Sequence, residues 1–186
     1  YVIDASGNMD SAGAIVTVVD SLPVELNTYV SVDVYLSAGG FVEIDSSMVD
    51  NASADNCGIA SITLSQDTLW CGDVPSTTVL VTAMDFYGNI STANVLFNVW
   101  DTIAPAVASV DTMGYLNTNG QFTVTASMLD SGSADACGID SVWLSQSIFT
   151  CGDIGMNTVW FYAVDVNGNV DSTMSMVTIL DTLSVV

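Results

Sequence analysis

The stretch "TVWFYAVDVNGNVDSTMSMVTIL" runs from Thr158 to Leu180. Its first part, Thr158 to Asp165, is the β-branched and aromatic run that fits a pleated, half-buried surface. The turn "DVNGN", Asp165 to Asn169, follows, and its Gly168-Asn169 pair tolerates the positive φ that a hairpin needs. From Ser172 the β pattern resumes. Upstream, "QFTVTAS" (121–127) alternates Phe122, Val124 and Ala126 against polar neighbours, which predicts another strand. No segment sustains a 3.6-residue period with helix caps, so the chain reads as all-β.

The same hairpin signature occurs three times. "DASGNMDSAGAIVTVVDS" (4–21) and "DFYGNISTANVLFNVWDT" (85–102) match "DVNGNVDSTMSMVTILDT" (165–182). Laying 41–100 on 121–180 without gaps gives identity at 22 of 60 positions, including Asp50/Asp130, Asp55/Asp135, the Cys-Gly-Ile and Cys-Gly-Asp triplets and Asp85/Asp165. Residues 1–19 therefore read as the C-terminal strands of an earlier copy, 20–100 and 101–180 as complete copies, and 181–186 as the start of another. Each copy of about 80 residues should hold some seven short strands, as an immunoglobulin-like β-sandwich does. "VWDTIAPAV" (99–107) leaves almost no linker between copies, and Pro105 fixes its own φ. Sandwiches joined so tightly should form a stiff rod.

Composition excludes several kinds of function. The 186 residues include no Lys, Arg or His, and the 21 acids, 19 Asp with Glu25 and Glu43, give a net charge of −21. Soluble domains are usually about 25% charged with both signs present. Without a basic patch, nucleic-acid phosphate and anionic lipid are excluded as direct partners, because nothing releases their counterions. Nucleophilic catalysis by Ser or Cys needs a positioned base, normally His or Lys, and a carboxylate pair repeated in every copy makes little sense as an active site. The expectation is a non-enzyme. No apolar run approaches the ~20 residues of a membrane span, and no charged n-region with an apolar h-region opens the chain.

The cysteines fall as one pair per copy, Cys57 with Cys71 and Cys137 with Cys151. Disulfides Cys57–Cys71 and Cys137–Cys151 are the expected use, and they imply an oxidising, extracytoplasmic compartment. A metal–thiolate site is the other use, disfavoured by the lack of His. The carboxylates have no cationic side chain to pair with. Asp50 and Asp55 in "DNASADN", Asp130 and Asp135 in "DSGSADA", and the junction acids Asp20, Asp101 and Asp181 with the turn acids Asp4, Asp85 and Asp165, which could converge at copy boundaries, have two readings. They cap loop N–H groups as Asx-turns, or they supply oxygen ligands to calcium, the one candidate cofactor. Trp70, Trp100, Trp143, Trp160, Phe161 and Tyr162 occupy strand positions and suit core or half-exposed sheet better than a sugar platform. Asp precedes Ser or Thr ten times, where the composition predicts about four. β-turns before strand entry would account for it.

The unit Asp130-Ser131-Gly132-Ser133-Ala134-Asp135-Ala136-Cys137-Gly138-Ile139, with Cys151 to Val159, Asp165 to Asn169 and Asp101 to Pro105, resembles a known type. It is similar to the HYR-like, immunoglobulin-type tandem repeats of giant cell-surface adhesins in gliding Bacteroidetes, over essentially the whole chain. Pro75 departs from the pattern, standing where the second copy has Gly155. The resemblance implies secretion, commonly by the type IX system, and display at the cell surface as a filament or stalk. It implies O-glycosylation at Asp-Ser/Thr triplets followed by chiefly aliphatic residues, which here would be Ser11, Ser21, Thr68, Thr102, Thr112, Ser141, Ser172 and Thr182. The expected partners are neighbouring copies of the same chain, other chains in a filament, and a surface reached through other regions. The rival expectation is a module that itself binds carbohydrate or protein.

Overall fold

The structure, a computed structural model, describes residues 1–182. A short hairpin, β1 (Val2–Ile3) with β2 (Met9–Asp10), opens the chain. Residues 11–19 follow it in no strand, and the whole of 1–19 is exposed. Leu183 to Val186, most of the segment expected to begin a further copy, lie outside the described residues.

The first copy consists of β3 (Ser31–Tyr35), β4 (Phe41–Glu43), β5 (Ile59–Leu64), β6 (Thr68–Trp70), β7 (Ser76–Asp85) and β8 (Ile90–Trp100). The second repeats it as β9 (Thr112–Tyr115), β10 (Gln121–Thr123), β11 (Ile139–Leu144), β12 (Ile148–Thr150), β13 (Gly155–Asp165) and β14 (Val170–Leu180). Each copy has a four-stranded sheet, in the orders β3-β8-β7-β5 and β9-β14-β13-β11, and a two-stranded one, β4-β6 or β10-β12. The edge strands β3 and β9 run parallel to β8 and β14; the other pairs are antiparallel. Six strands stand where about seven were expected. The missing edge is reduced to isolated bridges, Glu25 with Ala54 and Thr28 with Asp50, and Ala106 with Ala134 and Ser109 with Asp130.

Alternation makes the sandwich. Along β7, Val79, Val81, Ala83 and Asp85 point inward, and along β8 Val95, Phe97 and Val99 do, while their neighbours face out. They close on Ile44, Val49 and Leu69 from the opposite layer. The second core is built the same way from Val159, Phe161, Val177 and Ile179 against Val124, Leu129 and Phe149.

One expected strand is cut short. β10 ends at Thr123, and Ala126–Leu129 is a single helical turn, so Ala126 does not continue the alternation. The first copy has a 3-10 turn at Ser46–Met48, capped by Asp45, whose carboxylate accepts from Ser47 N at 2.8 Å. In both copies the turn swings the chain off its layer and drives Val49 or Leu129, each fully buried, into the core. The hairpin at 165–169 forms as expected, with Gly168 at φ +94° and Asp165 N donating to Asn169 O at 3.0 Å.

Candidate functional site

The features kept in both copies gather at the two ends of each sandwich. At one end lies the "DxxGN" corner. Asp85 is only 1% exposed, yet no cation is near it. Its Oδ1 accepts from Tyr87 N and Asn89 N, both at 2.8 Å, and its Oδ2 from Asn89 Nδ2. Burial works against its ionisation, but the bonds from Asn89, Tyr87 and Gly88 outweigh it, and its pKa lies below the ordinary value. Asn89 Nδ2 also reaches Asp20 O and Leu22 O, both at 3.3 Å, and so ties the corner to the chain entering the copy. Asp165 and Asn169 repeat the arrangement, and Asn169 reaches Asp101 O at 3.3 Å. Asp4 with Asn8 repeats the corner's internal bonds between β1 and β2.

Beside this corner is the loop that carries the first cysteine. Asp50 Oδ1 accepts from Ser53 N at 3.0 Å, and Ser53 Oγ both accepts from Asn27 N and donates to Asn27 O. Asp55 Oδ1 accepts from Cys57 N and Gly58 N, both at 2.9 Å. Asp130, Ser133 and Asp135 do the same for Gly132, Ser133, Ala108, Cys137 and Gly138. Asx-turn capping is thus what Asp50, Asp55, Asp130 and Asp135 are seen doing.

The corner and the loop converge on two acidic groups. Carboxylate oxygens of Asp20, Asp55 and Asp85 lie within 4.8 Å of one another, as do those of Asp101 and Asp135 with Cys137 Sγ. Asp50 and Asp130 stand apart from these groups, and Asp165 is not part of the second; Asp181 is exposed at the end of the described residues. Asp20, a junction acid like its counterpart Asp101, is thus brought beside the turn acid Asp85. Asp20 Oδ2 and Asp101 Oδ2 are buried and make no well-formed hydrogen bond. The Cys57 thiol is pushed above its ordinary range, first by contact with the Asp20 carboxylate, then by desolvation and by the charges of Asp20, Asp55 and Asp85.

The second cysteine sits at the other end. Cys71 and Cys151 open short 3-10 turns just before β7 and β13. The expected pairs Cys57–Cys71 and Cys137–Cys151 are not formed. Instead Cys71 is bonded to Cys137, 66 residues on and in the next copy, while Cys57 and Cys151 are free and exposed. Topology is the reason. Between Cys57 and Cys71 the chain does not reverse as a hairpin: β5 descends one layer beside β7, and β6 continues downward in the other. Cys57 lies near Asp85 and Cys71 near Ser76, at opposite ends of a ten-residue strand spanning about 30 Å. A disulfide needs Cα atoms within about 7 Å. Across the boundary, Cys71 and Cys137 have Cα atoms 5.3 Å apart.

Gly40 makes that approach possible. It takes φ +74°, and a Cβ on it would stand 2.9 Å from Cys71 Sγ and 3.1 Å from Ala136 Cβ.

Of the serines and threonines in Asp-Ser/Thr triplets, Ser11, Ser21, Thr102, Ser141 and Thr182 are exposed, and Thr68, Thr112 and Ser172 half-buried. The tryptophans lie on strands with their outer faces open: Trp70, Trp100, Trp143 and Trp160 are 41–55% exposed. Trp143 stacks on Tyr162 with centroids 5.2 Å apart.

No family model matches the chain, and no curated protein does. Among solved structures it is similar to EC1-2 of human mucin-like protocadherin, at 10% identity and a TM-score of 0.44, over 87% of this chain and all of that one. It is also similar to human protocadherin-24 EC1-2, at 11% and 0.40, over 82% and 95%. Fibronectin(III)-like modules of Clostridium thermocellum CbhA follow at 10% and 0.32, over 85% and 94%. At this distance the likeness concerns the tandem sandwich fold alone.

Proposed function

We propose that the chain is a load-bearing segment of an extracellular stalk, in which copies 20–100 and 101–180 are links and 1–19 and 181–186 belong to flanking links. The observation that carries this reading is the covalent tie across the boundary. Cys71 of one copy and Cys137 of the next join two bodies that each have their own core, so the disulfide resists separation and bending of neighbours instead of holding either one together. A rod needs that. The tie also belongs in an oxidising, extracytoplasmic place, and among the described residues no helix is long and apolar enough to cross a membrane. Each copy adds length while touching mainly its neighbours. The partners are accordingly neighbouring copies, other stalks in a filament and a surface met by other regions. Exposed acceptors such as Ser21 and Thr102 suit O-glycans along the shaft.

Small-angle scattering on the chain and on versions with added copies tests this. Maximum dimension should grow by about 35–40 Å per copy, the length of an eleven-residue strand with its loops. A compact particle whose dimension does not scale with copy number would overturn it.

Two finer roles attach to the same surfaces. Calcium suits the Asp20, Asp55 and Asp85 group, whose oxygens converge and include the buried Asp20 Oδ2, which makes no well-formed hydrogen bond. The second group offers only two carboxylates, because its third member is the bonded sulfur of Cys137. A calcium-dependent rise in melting temperature, lost in Asp20→Asn, supports this role; an unchanged transition in millimolar calcium ends it. The binding-module reading rests on the outer face of β11, β13 and β14, where Trp143, Tyr162, Trp160 and Met174 lie side by side. Thr63, Thr82, Leu80 and Asn94 hold these places in the first copy, so a ligand site there would belong to one copy alone.

A further inference from the structure

We infer that Cys57 and Cys151 are the two halves of the same inter-copy staple: Cys57 bonds to the second cysteine of a preceding copy and Cys151 to the first cysteine of a following one. The inference rests on the tandem reading above. Cys57 occupies in the first copy the place of Cys137 in the second, and Cys151 the place of Cys71. The pair whose neighbours are both present, Cys71 and Cys137, is bonded; the pair whose neighbours are not present is free and exposed.

The surroundings of the free and the bonded cysteines match as well. Asp55 holds the N–H groups of Cys57 and Gly58 as Asp135 holds those of Cys137 and Gly138. Gly58 and Gly138 take φ +104° and +105°. At the other end, Cys151 Sγ lies 3.9 Å from Gly120 O, as Cys71 Sγ lies 3.5 Å from Gly40 O. Gly120, like Gly40, has positive φ, and a Cβ on it would stand 2.9 Å from the neighbouring Sγ. This is the clearance that lets Ala136 of the second copy approach Gly40. Gly120 therefore leaves room for a neighbour beside Cys151. Both free thiols thus sit in half-sites already shaped for the bond, and the copies form a chain cross-linked at every boundary.

Bond formation needs an oxidant, here a low-molecular-weight disulfide. One cysteine thiolate attacks glutathione disulfide and releases one glutathione; the partner thiolate then attacks the mixed disulfide and releases the second. The two cysteines lose two electrons and two protons, which leave as two molecules of reduced glutathione.

The test compares the full chain with the same chain extended by a further copy of 20–100 joined after Leu180, which leaves the Cys137 and Cys151 peptides unique, both oxidised with glutathione disulfide. Thiols are alkylated and peptides mapped without reduction, using a protease that cuts at Asp because trypsin has no site. In the parent chain Cys71 should be linked to Cys137, with Cys57 and Cys151 alkylated. In the extended chain Cys151 should become linked to the first cysteine of the added copy, and its alkylation should fall at least tenfold. Cys151→Ser in the extended chain should leave that first cysteine alkylated. A Cys151 that stays alkylated, or that bonds to Cys137, overturns the inference. Scattering on the same samples separates the two readings: an elongated particle with free Cys151 sinks the staple alone, and a compact particle with the staple formed sinks the stalk.

Discussion

The two copies keep different things from those a folding core would ask for. Of the buried apolar positions, only Leu36/Leu116, Val79/Val159 and Ala83/Ala163 carry the same residue in both; Ile44 becomes Val124, Leu69 becomes Phe149, Val81 becomes Phe161 and Phe97 becomes Val177. Most of the polar side chains that cap the corners do not change: Asp50, Ser53, Asp55, Asp73, Asp85 and Asn89 recur as Asp130, Ser133, Asp135, Asp153, Asp165 and Asn169, with largely corresponding backbone partners. A core tolerates exchange when volume and alternation are kept. A side chain that caps two N–H groups of one loop can be exchanged only for one of the same reach, as Asn117 shows by accepting from Asn119 N and Gln121 N. The difference teaches that the repeat preserves the shape of its ends, where copies meet, more strictly than the packing between them.

The largest break in this comparison should come from the cores, and it should be local. Phe97→Ala or Phe161→Ala removes a fully buried ring and should cost about 3–5 kcal/mol in the affected copy. Tryptophan fluorescence and hydrogen exchange during urea unfolding should show that copy opening first while the other keeps its midpoint. Equal loss in both copies would mean that they unfold as one unit.

A sharper case is the exchange between Val34 with Val42 and Gly114 with Phe122. A Cβ on Gly114 would fall 2.1 Å from the Phe122 ring, so the ring fills the space that Val34 takes in the first copy. Gly114→Val alone should destabilise the second copy by about 1–3 kcal/mol through overpacking. Adding Phe122→Val recreates the arrangement of the first copy and should recover most of the loss. Two effects that simply add, measured by denaturant midpoints, would show that the positions do not share one space.

The acids allow a test by pH. The Ser133 N–H holds the Asp130 carboxyl below its ordinary pKa; partial burial opposes this, and the Gly132 N–H adds to it. Asp45 and Asp153 are held low by Ser47 and by Thr150 in the same way. A group whose folded pKa is depressed contributes stability above its unfolded value of about 4, and that stability is lost as pH falls through the folded pKa. Urea midpoints should therefore be flat from pH 7 to about 5 and decline below about 4. Asp130→Asn should start lower and decline less steeply. A parallel decline in both proteins would take Asp130 out of the acid response.

The sandwich was legible because alternation, β-branched runs and the Asp-x-x-Gly-Asn turns all point the same way. The repeated junction and turn acids suggested that Asp20 could meet Asp85, but the arrival of Asp55 beside them depends on a loop and a hairpin that meet only in three dimensions. The cysteine pairing was misread for a similar reason. A spacing of 14 residues suggests a hairpin, and nothing in "CGIASITLSQDTLWC" (57–71) announces that the chain changes layer at Gln66 and keeps its direction. The relevant partner lay 66 residues away in the next copy, where only the stacking of whole sandwiches brings it close.

The smallest effect lies in the loop where the copies differ by one residue at a demanding backbone position. Ala52 takes φ +62°, the one non-glycine residue with positive φ among those described, and its counterpart Gly132 takes +114°. A Cβ is disfavoured there, while glycine brings a larger entropy loss on folding, so the two terms partly cancel. Ala52→Gly should raise the stability of the first copy by no more than about 1 kcal/mol and leave the second unchanged. The reverse change, Gly132→Ala, should lower the second copy by a similar amount, since φ +114° lies farther from the left-handed minimum near +57°. Denaturant midpoints for the pair would show whether this loop is held by its backbone conformation or by Asp50 and Ser53. If neither substitution moves its midpoint, the bonds of Ser53 Oγ to Asn27 and of Asp50 to Ser53 N fix the loop, and it owes its shape to these side chains and not to its backbone conformation.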